Sequence, residues 1–199
     1  RVLTFNIRHC AGNDDVINYD RTAAVINGME PDVVCLQEVD YMTTRSNKVD
    51  QLKTLADKTG MNYYFSKSIA YQGGEYGNGL LFKGTPISTK TYLLPGAELR
   101  SAAIAEFENY VVISTHLALE ENNRVESAKQ LTDLAKTYNK VVYMAGDFNE
   151  DLMNGTFFTE LKKEWEVVSS TENTFPTGQA TKRIDFVVTL KTPPTIVVK

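Results

Sequence analysis

KVVYMAGDFN, residues 140–149, is the segment from which the fold can be predicted. Its first half is apolar and rich in β-branched residues, which predicts a buried β-strand. Turn-forming residues then replace the apolar ones. The carboxylate of Asp147 and the amide of Asn149 would project to one side of such a strand end. This pair suits a hard cation such as Mg²⁺ or the oxygens of a phosphoryl group. The same pattern is also that of an ordinary turn with Asx hydrogen bonds.

The rest of the chain predicts one α/β domain over residues 1–199. Its 199 residues are 42% hydrophobic and 23% charged, which is typical of a globular protein with a substantial core. Further buried strands are predicted at residues 2–7, 31–38 and 184–188, and helices at residues 20–28, 46–60 and 120–138. The first strand, helix and second strand form a βαβ-like opening with parallel strands.

Two intervening regions lack helical periodicity. Residues 73–79, GGEYGNG, contain four glycines and are predicted to form a loop. Residues 86–115 carry short apolar runs broken by Pro95-Gly96 and Asn109, which predicts an antiparallel meander.

Composition limits the function classes. The formal net charge is −4 without a long Lys/Arg run, which disfavours a nucleic-acid partner, since dedicated binders carry a basic stripe. No apolar run approaches the roughly 20 residues that span a bilayer. The strand pattern begins at Arg1, so we expect that any targeting segment has been removed, as in an exported protein. Cys10 and Cys35 have neither disulfide-framework nor metal-ligand spacing. We expect a monomer, and the compartment is left open.

Polar residues that interrupt or end the apolar strands are the candidates for chemistry, because burying them costs free energy unless they are paired. These residues are Asn6, Glu38, His116, Asp147, Asn149 and Asp185. A Mg²⁺ ion would compensate Glu38, as would a salt bridge to Arg45. His116 would donate to a phosphoryl oxygen or transfer a proton, unless it is a paired core histidine. Together the clusters predict metal-assisted hydrolysis of a phosphoester.

Five short motifs carry a resemblance to a known family. In order, these are TFNI (4–7), LQE (36–38), STH (114–116), GDFN (146–149) and RIDF (183–186). They resemble the motifs of the endonuclease/exonuclease/phosphatase, or DNase I-like, superfamily. The resemblance implies a four-layer αββα sandwich, in which two mostly antiparallel mixed sheets pack together with helices outside. It also implies Mg²⁺ or Mn²⁺ as the cofactor.

The same resemblance implies residue roles. Asn6 and Glu38 would hold the metal. His116 and Asn149 would contact the scissile phosphate, and Asp147 would position or deprotonate the attacking water.

Asp185 would orient a catalytic histidine by this resemblance. Members of the superfamily carry that histidine in a Ser-Asp-His motif near the C-terminus. Only thirteen residues follow Phe186 here, none of them histidine, and His9 matches no family motif. We expect the motif to lie in a segment absent from this chain, since a buried Asp without its partner is costly. The alternative is that the catalytic base has been lost.

Further comparison narrows the branch and adds substrate-binding candidates. Abasic-site endonucleases usually carry Gln-Glu-Thr-Lys, whereas this chain has QEVD (37–40) and a Thr-His pair. It therefore resembles the phosphatase, phosphodiesterase and sphingomyelinase branches more closely. Arg45 and Arg100 are predicted to bind substrate phosphate, because guanidinium groups match phosphate oxygens, although both also fit ordinary surface charges. Asn78 is predicted to face the site.

Three functions follow as hypotheses. The leading one is a Mg²⁺-dependent phosphodiesterase or phosphatase that acts on a small or lipid-derived phosphoester. The second is a non-specific or repair-type nuclease. The third is a catalytically inactive domain that binds phosphorylated ligands, which the missing histidine motivates.

Overall fold

Two β-sheets packed face to face form the centre of the molecule, in a computed structural model that describes residues 1–191. The strands are β1 (Val2–Asn6), β2 (Val33–Tyr41), β3 (Asn62–Tyr71), β4 (Gly74–Phe82), β5 (Ser88–Leu94), β6 (Arg100–Glu106), β7 (Tyr110–His116), β8 (Val141–Asp147), β9 (Trp165–Val167) and β10 (Asp185–Leu190). The helices are α1 (Tyr19–Met29), α2 (Gln51–Thr59), α3 (Glu121–Ala135) and α4 (Thr156–Leu161). The C-terminal stretch after Phe186, which lacks the family's histidine, extends into residues 192–199, and these lie outside the described residues.

The first sheet has the strand order β1-β2-β4-β3. β1 and β2 are parallel, with Val2 opposite Val33, and α1 connects them. This confirms the predicted βαβ-like opening. α1 begins after Asn18, whose side chain accepts the Arg21 N–H at 2.9 Å and so satisfies one free donor of the first turn.

The second sheet has the strand order β5-β6-β7-β8-β10-β9. β5, β6 and β7 form the predicted antiparallel meander, and β8 then pairs in parallel with β7. β10 returns antiparallel to β8. Residues 140–149 therefore supply a central strand with a neighbour on each side.

Successive side chains along the strands of the first sheet point alternately to two hydrophobic layers, one on each face of the sheet. In β2, Val33 and Cys35 pack between the two sheets. Val34 and Leu36 point the other way and pack against α1 and α2. This is the period of two expected of a strand buried on both faces.

The second sheet alternates in the same way. In β8, Ala145 packs between the sheets, whereas Met144 packs beneath α3 and α4 with Leu131 and Phe157. The layers are therefore helices, sheet, sheet and helices, which confirms the predicted αββα sandwich.

The glycine-dense stretch at residues 73–79 was predicted as a loop, and this is wrong, because Gly74–Phe82 forms β4. β4 lies between β2 and β3. A Cβ atom at Gly77 would lie 2.0 Å from the carbonyl oxygen of Ser66 in β3. The glycine thus permits a close approach between neighbouring backbones, which is one of the roles of glycine inside a strand.

Candidate active site

The ends of strands from both sheets border one cavity of about 630 Å³. Seven of the nine predicted site residues line it: Asn6, Glu38, Arg100, His116, Asp147, Asn149 and Asp185. These residues come from β1, β2, β6, β7, β8, β10 and the turn after β8. The cavity therefore exists only when both sheets are assembled.

Three neighbouring strands place His116, Asp147 and Asp185 side by side. His116 lies opposite Asp147 in the parallel β7–β8 register, and Asp185 lies opposite Asp147 in the antiparallel β8–β10 register. Asp147 is two residues after Ala145, so it faces the space between the sheets by simple alternation. The row continues the inner face of the sheet at the point where the apolar core ends.

The first sheet contributes Asn6 and Glu38 to the opposite side of the cavity. Alternation alone would turn Glu38 towards the helices, because Val34 and Leu36 face that way. A register shift between Leu36 and Val39 interrupts the β2–β4 ladder, and Glu38 adopts a left-handed backbone with φ of 59°. Such a bulge redirects the side chain towards the cavity. Strained backbone of this kind is common at functional sites.

The Asn6 side chain joins carboxylates from the two sheets. Its Nδ2 donates to Glu38 Oε1 at 2.8 Å and to Asp147 Oδ2 at 3.1 Å, while its Oδ1 accepts the Arg8 N–H at 3.1 Å. The amide hydrogens thus supply the positive partner that two nearby carboxylates require. To ligate a metal beside Glu38, the Asn6 amide would turn its oxygen towards the ion.

His116 is a buried, neutral imidazole. Desolvation and the positive charge of Arg100 lower its pKa to about 4, and the charge of Glu38 opposes this effect. Its Nε2 lies 3.8 Å from Asp147 Oδ2. A neutral imidazole can donate one hydrogen bond or accept one proton.

Asp147 and Asn149 form the turn that ends β8. Asp147 Oδ1 accepts the Asn149 N–H at 2.9 Å. This is the Asx hydrogen bond that the sequence pattern also allowed, so that alternative is correct for the backbone of the turn. Asn149 has φ of 52°, and its Nδ2 donates to the Leu117 carbonyl oxygen at 2.9 Å. Burial raises the pKa of Asp147, against the hydrogen bond from Asn6. The turn therefore holds a carboxylate with increased basicity at the cavity.

Asp185 carries the third ionisable side chain of the row. Burial, followed by the negative charge of Asp147, raises its pKa to about 6. Its Oδ1 is buried and has no hydrogen-bond partner within residues 1–191. Its backbone N–H donates to Thr174 Oγ1 at 3.2 Å. The group is thus placed to accept a hydrogen bond that the described residues do not supply.

Arg100 brings positive charge into the cavity. Its side chain is 9% exposed, and its Nη1 lies 3.0 Å from Glu98 Oε1. Its Nε is buried without a partner in the part of the chain that the structure describes. The guanidinium group therefore has a hydrogen-bond donor that no described residue uses.

Arg45 does not line the cavity. Its Nε and Nη2 donate to the two carboxylate oxygens of Asp40, each at 2.8 Å, so Arg45 pairs with Asp40 rather than with Glu38. Its guanidinium carbon lies 4.6 Å from the ring centroid of Tyr71 and 5.6 Å from that of Tyr76. Tyr76 in turn lines the cavity, so Arg45 contacts the site through this ring.

Asn78 is also outside the lining. It is buried between the sheets, where its Nδ2 donates to the Ser101 carbonyl oxygen at 2.7 Å. This bond ties β4 to β6 one residue away from Arg100.

Several lining residues were missed by reasoning from the sequence: Arg8, Tyr76, Glu98, Leu119, Asp151, Phe175 and Lys182. Tyr76 lies in the stretch wrongly predicted as a loop. Phe175 and Lys182 lie between β9 and β10, where no strand or helix pattern draws attention to them. Arg8, Glu98 and Asp151 each lie two residues from a predicted site residue, and this proximity was a usable signal.

The donor set is compatible with Mg²⁺. Within residues 1–191, no three His, Cys, Asp or Glu side chains converge as a self-sufficient metal site. Mg²⁺ does not require one, since it keeps several waters and takes one or two carboxylates together with substrate phosphate. Glu38 supplies one carboxylate, and the amide oxygen of the neighbouring Asn6 is a second oxygen ligand within reach.

The sequence profile of the Endonuclease/Exonuclease/phosphatase family matches residues 3–189. The chain belongs to this family. No curated protein sequence matches it.

Several solved structures share the fold at low sequence identity. A protein of the family from Beutenbergia cavernae DSM 12333 has a TM-score of 0.74 and 19% identity, covering 96% of this chain and 64% of that chain. The mannosyl-6-phosphatase Bt3783 of Bacteroides thetaiotaomicron has a TM-score of 0.73 and 16% identity, covering 96% of this chain and 85% of that chain. The human Nocturnin catalytic domain with bound sulfate anion has a TM-score of 0.68 and 16% identity, covering 96% of this chain and 81% of that chain.

The helices of this family member are short. None within residues 1–191 combines the length and the apolar character that a bilayer crossing requires.

Proposed function

We propose that this protein is a Mg²⁺-dependent phosphoester hydrolase, a phosphatase or phosphodiesterase that acts on a small or lipid-derived substrate. The observation that carries the proposal is the meeting of His116, Asp147 and Asp185 with Asn6 and Glu38 in one cavity. The fold shared with a mannosyl-6-phosphatase and with a sulfate-bound catalytic domain supports an anion-binding hydrolase.

Asn6 and Glu38 would hold the Mg²⁺ or Mn²⁺ ion. The bound ion would neutralise negative charge that develops on the phosphoryl group. Glu38 is held by the bulge in β2, and its Oε1 accepts a hydrogen bond from Asn6 Nδ2. Glu38 is therefore positioned before any ion binds, which reduces the cost of assembling the site, whereas the Asn6 amide would turn its oxygen towards the ion.

The phosphate would lie between Arg100, His116 and Asn149. Arg100 offers a guanidinium donor, and His116 offers a neutral imidazole at neutral pH because its pKa is lowered to about 4. Donors fixed in a partly desolvated cavity stabilise charge in the transition state more strongly than donors in water.

Asp147 would position and deprotonate the attacking water. Burial raises its pKa and makes its carboxylate a stronger base than an exposed one. The Asn6 amide and the Asn149 N–H hold both of its oxygens, so the carboxylate keeps one orientation.

Asp185 would orient a catalytic histidine, the role that the family resemblance implies. Its unpartnered Oδ1 is an acceptor for an imidazole N–H, which would fix the ring and its tautomer. If no such histidine exists, the cavity would bind phosphorylated ligands without turnover.

The test is a panel of phosphomonoesters and phosphodiesters assayed with Mg²⁺, with chelator, and with Mg²⁺ restored in excess. We expect chelator-sensitive hydrolysis of at least one member. Glu38→Gln should lower kcat/KM by roughly 10²-fold, the order expected for loss of one electrostatic group. Glu166→Gln, on the exposed face of β9, is the matched control and should leave kcat/KM unchanged.

Three other results would support a different function or contradict the proposed mechanism. Binding of phosphoesters by calorimetry without any turnover would support the non-catalytic domain. Nicking of supercoiled plasmid under conditions that leave small phosphoesters intact would support the nuclease. Hydrolysis that persists in chelator would contradict the metal-dependent mechanism.

A further inference from the structure

Two large apolar side chains line the charged cavity and remain open to solvent. Leu119 is 69% exposed and Phe175 is 50% exposed. Single exposed apolar residues are ordinary on a protein surface. These two differ because they share a concave site with carboxylates and a guanidinium group, where a ligand can cover them.

The two side chains lie beside the two outer strands of the row β7-β8-β10. Leu119 follows His116 by three residues, beyond the end of β7. Phe175 follows Thr174, whose hydroxyl accepts the backbone N–H of Asp185 at the start of β10. β8, with Asp147, lies between these two strands. A phosphoryl group at Asp147 would therefore have an apolar residue towards either side.

Hydrogen bonds hold the backbone at Leu119. The buried Arg124 side chain donates to the Leu119 carbonyl oxygen and, at 3.2 Å, to that of Ala118. Its Nη2 donates to Glu150 Oε2 at 2.8 Å, which joins this loop to the turn after β8.

The backbone at Phe175 is also anchored. Its N–H donates to the Lys182 carbonyl oxygen, and the Lys182 N–H donates back to the Phe175 carbonyl oxygen, both at 2.9 Å. Because both backbones are held beforehand, a ligand would lose less free energy in ordering them.

We propose that Leu119 and Phe175 bind the apolar part of the substrate, so that the preferred phosphoester carries an alkyl or aryl group. This inference rests on the function proposed above. The charged row takes the phosphoryl group, and the two apolar side chains take the group esterified to it. Covering them removes apolar surface from water, and each methylene buried contributes to affinity.

The first experiment compares the binding of two non-hydrolysable phosphonates to the Mg²⁺-loaded protein by calorimetry. Hexylphosphonate and methylphosphonate share the charged group and differ in the apolar chain. We expect hexylphosphonate to bind about tenfold more tightly, the effect of roughly two buried methylenes. Equal affinities, or binding of neither compound, would overturn the inference.

Variants then locate the preference. Leu119→Ala and Phe175→Ala should each reduce the preference for hexylphosphonate over methylphosphonate by at least threefold. The affinity for methylphosphonate itself should stay constant. Leu152→Ala is the matched control, since Leu152 is 61% exposed and lies outside the cavity lining. All three substituted side chains are exposed, so equal melting temperatures are expected for the three variants. A preference that survives in both cavity variants would also overturn the inference.

Turnover distinguishes this inference from the proposed function. Hydrolysis of hexyl phosphate and of 2-(2-hydroxyethoxy)ethyl phosphate is compared, since the two alcohols have similar length and different polarity. Chelator-sensitive turnover with equal kcat/KM for both would contradict the inference and leave the proposed function standing. A preference in phosphonate binding without turnover of any ester would contradict the proposed function and leave the apolar site standing.

Discussion

Asp185 shows how one residue links burial to pH dependence. Its carboxyl group is close to Asp147 in the β8–β10 register and is largely removed from solvent. Burial and the neighbouring charge both disfavour ionisation, which raises its pKa from 3.8 to about 6. The native state therefore binds more protons at this group than the unfolded state between about pH 4 and pH 6.

The consequence for stability has a definite sign. The ionised form is disfavoured in the native state, so this group lowers the free energy of unfolding as pH rises through that window. Asp185→Asn should therefore stabilise the chelator-treated protein by about 2 kcal/mol at pH 7.5 and by much less at pH 4. Urea unfolding at the two pH values measures the difference. Asp133→Asn, at an exposed position of α3, is the control. Destabilisation by Asp185→Asn at pH 7.5 would refute this account.

At the scale of elements, the spacing of β7 and β8 depends on Gly146. A Cβ atom there would lie 1.8 Å from the Thr115 carbonyl oxygen, a backbone atom that cannot move without separating the strands. The next residue is Asp147, so the close approach also sets the distance between Asp147 and His116.

Gly146→Ala should therefore lower the free energy of unfolding by about 3 kcal/mol or more, through overpacking against fixed backbone. Gly28→Ala is the opposite case, because a Cβ atom at this position of α1 would have nothing within 4 Å. It should stabilise the protein by up to about 1 kcal/mol, the helix-propensity difference between the two residues. Urea denaturation of both variants checks the pair, and similar effects would contradict the steric argument.

A buried ion pair joins α3 to the turn after β8. The side chains of Arg124 and Glu150 are 8% and 7% exposed and lie 2.8 Å apart. Glu150 also accepts the Leu152 N–H at 2.9 Å. Removing one charge leaves the other buried without compensation, which is more costly than removing both.

Arg124→Met should therefore destabilise the protein by about 3 kcal/mol, and Glu150→Leu by a similar amount. The double variant should cost clearly less than the sum, with a coupling energy of about 2 kcal/mol in a double-mutant cycle. Additive costs would show that the pair is not coupled.

The whole molecule concentrates acidic groups around the cavity. Its lining has five carboxylates, Glu38, Glu98, Asp147, Asp151 and Asp185, and three basic side chains, Arg8, Arg100 and Lys182. The net charge of the chain is only −4, so a large part of the excess lies in one concave site. Such a cavity attracts cations, and binding of a cation would stabilise the assembled sandwich over the unfolded chain.

Mg²⁺ at 10 mM should accordingly raise the melting temperature, by about 5 °C if this concentration exceeds Kd by roughly 100-fold. Scanning calorimetry at constant ionic strength, with Na⁺ replacing Mg²⁺, measures the shift. In Glu38→Gln the shift should largely disappear. An equal rise in that variant would place the stabilising ion elsewhere.

The sequence by itself determined most of the strand and helix pattern, the order of the family motifs and most of the candidate site. Each rests on local information, since apolar periodicity reports which face of an element is buried, and polar residues at strand ends stand out against it. Asn6, His116, Asp147 and Asp185 were predicted this way, and the cavity contains all four.

Only the tertiary structure decided what depends on neighbouring strands. The bulge that turns Glu38 inward, the strand at Gly74–Phe82 and the Asp40 partner of Arg45 all arise from contacts between segments distant in sequence. The same holds for the apolar pair Leu119 and Phe175, which share a cavity because β7 and β10 lie on either side of β8. Local patterns carry no record of such contacts, because a residue's periodicity describes its own element and not the backbone packed against it.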